Sequence, residues 1–337
     1  MIGSALIVRH ILTTKKMKWR EISLPNAILL RISIVDIIAS FFVYFLSFWM
    51  VPRGTPHVRF ASGTDVTCAL QGGIDIFSMT YFATAYTQLA ILYWLIVTKG
   101  WTKEQMDQKR IRWSFNLPPI LVALCFSIPP LFLNFYNPTN FYCTLHGSPG
   151  AWNAEAAVYG YMLLGNIIVA IFMCLLVCHV YKQEKKSDKY LSTGQDKNRT
   201  NTTNTAWQGV RFASAYLIPY VMFYLIFACH VARVDTKQLS TGGVQFVGAW
   251  LAIITPMLGV FNAGVYFWPR YQAHRKQHPE QSRMSGLLEV LGIDMSWCFC
   301  CSRQERLPES ETSNGTASTP LITSSEEDSG VNVNDVL

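Results

Sequence analysis

The sequence predicts an all-α membrane protein: a seven-transmembrane helix bundle, its first helix truncated in this chain, followed by a disordered C-terminal tail. Three observations predict it. Only 15% of the 337 residues are charged while half are apolar, against roughly 25% charged in soluble domains. The apolar residues come in long runs of at least the ~20 residues that a helix needs to cross a bilayer, where a soluble helix would carry charge along one face. Lys and Arg collect in alternate loops between those runs.

Met1–Val8 is apolar but too short to span, and it leads into Arg9, Lys15, Lys16, Lys18 and Arg20. No basic segment precedes it and no small-residue cleavage site follows, so it does not read as a signal peptide. It reads as the cytoplasmic end of a first helix. Six spans follow: Leu24–Val51, Leu70–Val97, Trp113–Phe135, Ala156–Tyr181, Phe212–Val231 and Gln245–Trp268. The basic loops are Arg9–Arg20, Lys99–Arg112 and Lys182–Arg211, while the alternate loops hold only Arg53, Arg59, Arg233 and Lys237. The positive-inside rule places the basic set, and hence the C-terminus, in the cytoplasm. The net charge of +7 then reflects topology and contact with anionic inner-leaflet lipid, and no nucleic-acid partner is expected. The chain divides into a bundle over residues 1–271, a juxtamembrane segment over 272–301, and a Ser/Thr/acid-rich tail over 302–337 with the composition of disorder.

The nine cysteines sort by compartment. Cys125, Cys174, Cys178 and Cys229 lie within spans and read as small buried hydrophobes. Cys68 opens the third helix on the outer side and Cys143 lies in the outer loop Asn137–Trp152, so these two face the oxidising exterior. Their pairing would tether that loop to the helix top. Cys298, Cys300 and Cys301 follow the last helix on the reducing side, where juxtamembrane cysteines suit S-palmitoylation; no His or fourth Cys stands at zinc-ligand spacing beside them.

Polar groups inside the bilayer are costly and mark partners or function. Asp36 lies about twelve residues past Leu24, roughly 18 Å along the helix at 1.5 Å per residue, near mid-membrane. Asn262 and Tyr266, four apart, share one face of the last helix. Asp36 and Asn262 with ordered water would satisfy each other, either as structural glue or as a switch between two packings. Asp75 lies two turns below Cys68, a depth that suits the floor of an outward-opening pocket together with Tyr81, His230 and the aromatics of the outer loop. It would pair there with a cationic ligand, or internally with Arg233 or Lys237. Prolines within spans, at 118, 119, 129, 130, 219 and 256, permit kinks. The chain has no G-x-S-x-G, Walker or Rossmann motif and no intramembrane His–carboxylate pair at metal spacing, so neither enzyme activity nor a cofactor is expected.

The string Ile32–Ser40 around Asp36, the Cys68-Ala-Leu-Gln71-Gly72 opening of the third helix, and Phe261-Asn262-Ala-Gly-Val265-Tyr266-Phe-Trp-Pro269-Arg270-Tyr271 together resemble the cyclic-AMP-receptor-like G-protein-coupled receptors of slime moulds and other microbial eukaryotes. The similarity runs from Leu24 to Tyr271. It implies a plasma-membrane receptor with a Cys68–Cys143 disulfide, a small extracellular ligand and a heterotrimeric G-protein partner. The third helix ends Leu92-Tyr93-Trp94-Leu95-Ile96-Val97-Thr98-Lys99, without the acidic-Arg-aromatic triplet of rhodopsin-like receptors. Ten Ser or Thr among the acids of Ser310–Ser329 suit kinase and arrestin-like partners, because each phosphate adds about −1.5 to −2 charge. A transporter or channel is the alternative. Repeat symmetry or Gly-interrupted spans would favour it, and neither is evident.

Overall fold

The computed structural model describes residues 1–14, 22–55, 58, 60–139, 142–147, 149–190 and 257–292, with Trp207, Val210, Arg211, Ser214 and Leu217 between. It is mostly helical. In chain order come α1 (Ile2–Thr14), α2 (Leu24–Ala39) continued by a π-helix (Ser40–Phe45), α3 (Ser47–Met50), α4 (Asp65–Lys99), α5 (Lys103–Met106) and α6 (Lys109–Phe132). A hairpin of β1 (Tyr136–Pro138) and β2 (Cys143–Leu145) precedes α7 (Pro149–Tyr190), α8 (Leu258–Gln277) and α9 (Arg283–Val290).

Four stretches are long and apolar enough to cross a membrane: Leu24–Phe45, Asp65–Lys99, Lys109–Phe132 and Gly150–Gln183. They coincide with the first four expected spans. The fifth span, and the sixth up to Thr255, lie almost wholly outside the described residues. Apolar side chains point outward at helical spacing, Leu117, Leu121, Leu124, Ile128 and Leu131 on α6 and Leu164, Ile167, Ile171 and Leu175 on α7. A water-facing helix would carry polar residues at those positions. Lipid is the solvent that such stripes fit.

Helix α4 is the axis of the bundle and packs against α2, α6, α7 and the hairpin. It starts with a capping box, in which Thr64 accepts from the Thr67 N–H and the Thr67 hydroxyl accepts from the Thr64 N–H. It stops at Gly100, whose φ of 63° is the left-handed conformation that glycine adopts without a Cβ clash. Against α7, Gly165 and Ala83 allow close approach. Thr84 bonds the Tyr161 hydroxyl at 2.8 Å, and Thr87 donates to the Gly165 carbonyl at 3.3 Å. Small residues and short hydroxyl bonds are how helices associate where water supplies no hydrophobic drive.

Two buried glutamines repair breaks in the backbone ladder. The π-helix after α2 disturbs the carbonyl pattern, and the Gln71 amide donates toward Phe42, Val43 and Ser47 carbonyls at 3.2, 3.4 and 3.3 Å. Pro118 has no N–H to offer the Ser114 carbonyl four residues back. Gln88 reaches that carbonyl from α4 at 3.5 Å. Accordingly α6 remains one helix through Pro118, Pro119, Pro129 and Pro130. Freed backbone groups at membrane depth are tolerated when a neighbouring helix satisfies them.

Candidate functional site

The N-terminal end of α4 is held by covalent chemistry. Cys68 and Cys143 form a disulfide with Cα atoms 5.3 Å apart, which fastens β2 to the first turns of α4. Three residues along, the Gln71 carbonyl oxygen accepts from the Cys143 N–H at 2.9 Å. Gln71 therefore holds the α2 π-helix with its amide and the hairpin with its oxygen. On β1, Tyr136 lies flat against Gly72; a Cβ there would meet its ring at 2.4 Å. The Tyr136 hydroxyl donates to the Ser127 carbonyl on α6 at 2.8 Å. Only glycine at 72 lets the ring sit this close.

One turn below Gly72 is Asp75. It is 2% exposed, and its Oδ2 has no hydrogen-bond partner. Burial pushes the phenol of Tyr136 up, and the charge of Asp75 pushes it further. Tyr142 in the same hairpin is raised by burial, then by Asp75 and by Glu155 of α7. Asp75 and Glu155 also act electrostatically on Tyr159, one turn along α7 from Glu155. Asp75 thus lies under the hairpin, among three tyrosines and near a second carboxylate. The expected neighbours differ. Tyr81 stacks on Phe77 at 6.0 Å and lies within the electrostatic reach of Arg31 on α2, because six residues of helix turn it well away from Asp75. His230, and the alternative partners Arg233 and Lys237, lie outside the described residues. Tyr142 is one of the expected outer-loop aromatics; Tyr136, Tyr159 and Glu155 are additions that no periodic signal marks.

The inner cluster also departs from expectation. Asp36 is buried, and its Oδ2 accepts from Ser4 Oγ of α1 at 2.6 Å with the Met1 amino group at 3.5 Å. It packs on Gly259 of α8, where a Cβ would meet Asp36 Oδ2 at 2.5 Å and Ser4 Oγ at 2.4 Å. Asn262 stands one turn further along α8, but its amide donates to the Tyr86 hydroxyl of α4 and its carbonyl oxygen has no partner. Asp36 and Asn262 thus take part in two adjacent pairs, Ser4–Asp36 and Asn262–Tyr86, without a direct bond between them. The Asp36 charge still reaches Tyr86.

Tyr266 belongs to a third group, one turn further along α8. Its hydroxyl meets His10 Nδ1 at 3.3 Å, and the Arg270 guanidinium lies 4.1 Å from its ring centroid, within cation–π range. Asn262 and Tyr266 share a face of α8, as four-residue spacing requires, yet they bond to different helices.

Past α8, His274 Nε2 bonds Gln281 Oε1 at 2.6 Å, and Gln281 donates to Glu289 at 2.8 Å. This chain folds α9 back along the end of α8. The Gln281 bond, then the nearby His274, hold the Glu289 carboxyl below the usual range. Cys298, Cys300, Cys301 and the tail lie outside the described residues. Among the described residues no three of His, Cys, Asp and Glu gather as metal ligands would.

No protein-family model matches the chain, and no curated protein matches it.

Proposed function

We propose that this chain is a plasma-membrane receptor of the cyclic-AMP-receptor-like, G-protein-coupled kind, a seven-helix bundle with its C-terminus in the cytoplasm. The observation that carries this reading is the disulfide-tethered hairpin over the outer end of α4, above a buried carboxylate without a hydrogen-bond partner. A covalently fixed cover over an unsatisfied polar group suits a small-ligand site better than a conduction path. Below it, the polar pairs connect α1 with α2, α4 with α8 and α8 with α1 across the core. Interhelical bonds in membranes average about 0.6 kcal/mol, enough to bias a two-state packing without fixing it. A ligand that shifts that packing would alter the cytoplasmic face, where a heterotrimeric G protein binds. Kinases and an arrestin-like partner act on the tail, and palmitoylation at Cys298, Cys300 and Cys301 anchors it.

Membranes carrying the full chain are expected to accelerate GTPγS loading of co-expressed heterotrimeric G protein above the rate in empty membranes. Equal rates with the chain present at the cell surface would remove the reading. Topology gives a separate check. Asn198-Arg-Thr200, Asn201-Thr-Thr203 and Asn314-Gly-Thr316 match the glycosylation pattern but fall on the cytoplasmic side, so none should carry glycan. A mass shift released by endoglycosidase and mapped to any of them would invert the topology.

A further inference from the structure

We propose that Asp75, with Tyr136, Tyr142 and Tyr159 around it, forms a binding site for an organic cation, an amine or quaternary ammonium, covered by the β1–β2 hairpin. The inference rests on the receptor reading only in treating the hairpin side as the ligand side.

Asp75 is 2% exposed, and its Oδ2 has no hydrogen bond. No ion pair reaches it among the described residues, whereas Asp36, the other buried span carboxylate, has both a hydroxyl and an ammonium beside it. A buried carboxylate normally has a partner. Among the described residues, the charged groups that act on Tyr136 and Tyr142 are the acids Asp75 and Glu155. Two acids and three phenol rings have the composition of a cation box, where rings offer their faces to a desolvated ammonium and a carboxylate supplies the opposite charge. An anionic ligand would face repulsion from both acids.

The framework is also built. Tyr136 is fixed by Ser127 and by the glycine beneath its ring, and β2 by the disulfide and Gln71. Within this framework the Asp75 Oδ2 remains without a hydrogen bond, as a residue awaiting a ligand would be.

The test uses the full chain in lipid nanodiscs and reads its thermal midpoint. Tyramine, tryptamine and choline are the probes; 4-ethylphenol and 4-hydroxyphenylacetate are the neutral and anionic controls, and sodium against potassium chloride tests a metal ion. At least one of the three cations should raise the midpoint by a few degrees, with a rise that grows with the logarithm of concentration, while the controls leave it unchanged. Asp75→Asn should leave the ligand-free midpoint equal or higher, because it removes a buried unpaired charge, and weaken the responding cation at least tenfold. Tyr142→Leu should weaken it while the protein stays folded. Silence with all three cations, an equal response to 4-ethylphenol, or a response to sodium alone would overturn the proposal. So would a fall in the ligand-free midpoint of Asp75→Asn with the response retained. Cation binding without G-protein activation leaves this site standing and removes the receptor reading; basal activation without cation binding does the reverse.

Discussion

Replacing Cys68 and Cys143 together with alanine is expected to release the outer hairpin from α4 and produce one of the largest losses of stability of any change in the described bundle. The link closes a loop across a sequence separation of 75 residues, for which the chain-entropy relation gives about 4.5 kcal/mol. In a bilayer the intervening helices α4 and α6 stay inserted when packing is lost, so the unlinked ensemble is narrower than a free chain. About 2–4 kcal/mol is therefore the expected loss. Gln71→Leu separates the covalent contribution from the polar one. It keeps the disulfide but leaves the Cys143 N–H and the π-helix carbonyls of α2 without their partner, at a cost of about 1–3 kcal/mol. Thermal midpoints in nanodiscs and surface levels should fall in the order wild type, Gln71→Leu, double cysteine variant. A cysteine variant with wild-type midpoint and surface level would show that the hairpin is held by packing alone.

The contrast between cysteine and glutamine shows what the sequence made legible. Cys68 and Cys143 could be paired from compartment alone, because only two cysteines were placed outside. The four spans seen in the structure were equally plain, since bilayer thickness imposes a length on any apolar run. Gln71 and Gln88 were not legible as repair groups. Their role depends on which carbonyl a neighbouring helix leaves open, a matter of interhelical register that no single-helix periodicity contains. The same limit explains Asp36 and Asn262. Both were recognisable as costly polar groups at mid-membrane, but choosing between Ser4, Tyr86 and one another required the rotation of α1, α4 and α8. Tyr81 was assigned to the Asp75 side by depth without regard to helical phase. Depth is read by counting residues, and phase is shared out among neighbours that the sequence does not name.

The close contact of α1 with α8 gives the second large expectation. Gly3→Ala and Gly259→Ala should each separate these helices, although alanine is the better helix former by about 1 kcal/mol. A Cβ at Gly3 would meet the Gly259 carbonyl oxygen at 2.2 Å, its carbon at 2.6 Å and the Val260 Cα at 2.8 Å. All three are backbone atoms, so no side-chain rotation relieves the clash and the helices must part. A Cβ at Gly259 would instead meet Ser4 Oγ and Asp36 Oδ2, pushing the hydroxyl away from the carboxylate that it satisfies. Overpacking of this kind costs about 1–3 kcal/mol, and a buried carboxylate deprived of a partner adds to it. Gly264→Ala on the same helix is the control. Nothing lies within 4 Å of its Cβ position, so the propensity gain should appear undiminished and the midpoint should rise. The two polar pairs then separate by double-mutant cycle. Asp36→Ala should couple to Gly259→Ala and to Ser4→Ala, Asn262→Ala should couple to Tyr86→Phe, and the coupling across the two pairs should be smaller than within either. A midpoint for Gly3→Ala equal to that of Gly264→Ala would mean that α1 does not pack on α8 at all, and the Ser4–Asp36 pair would fall with it.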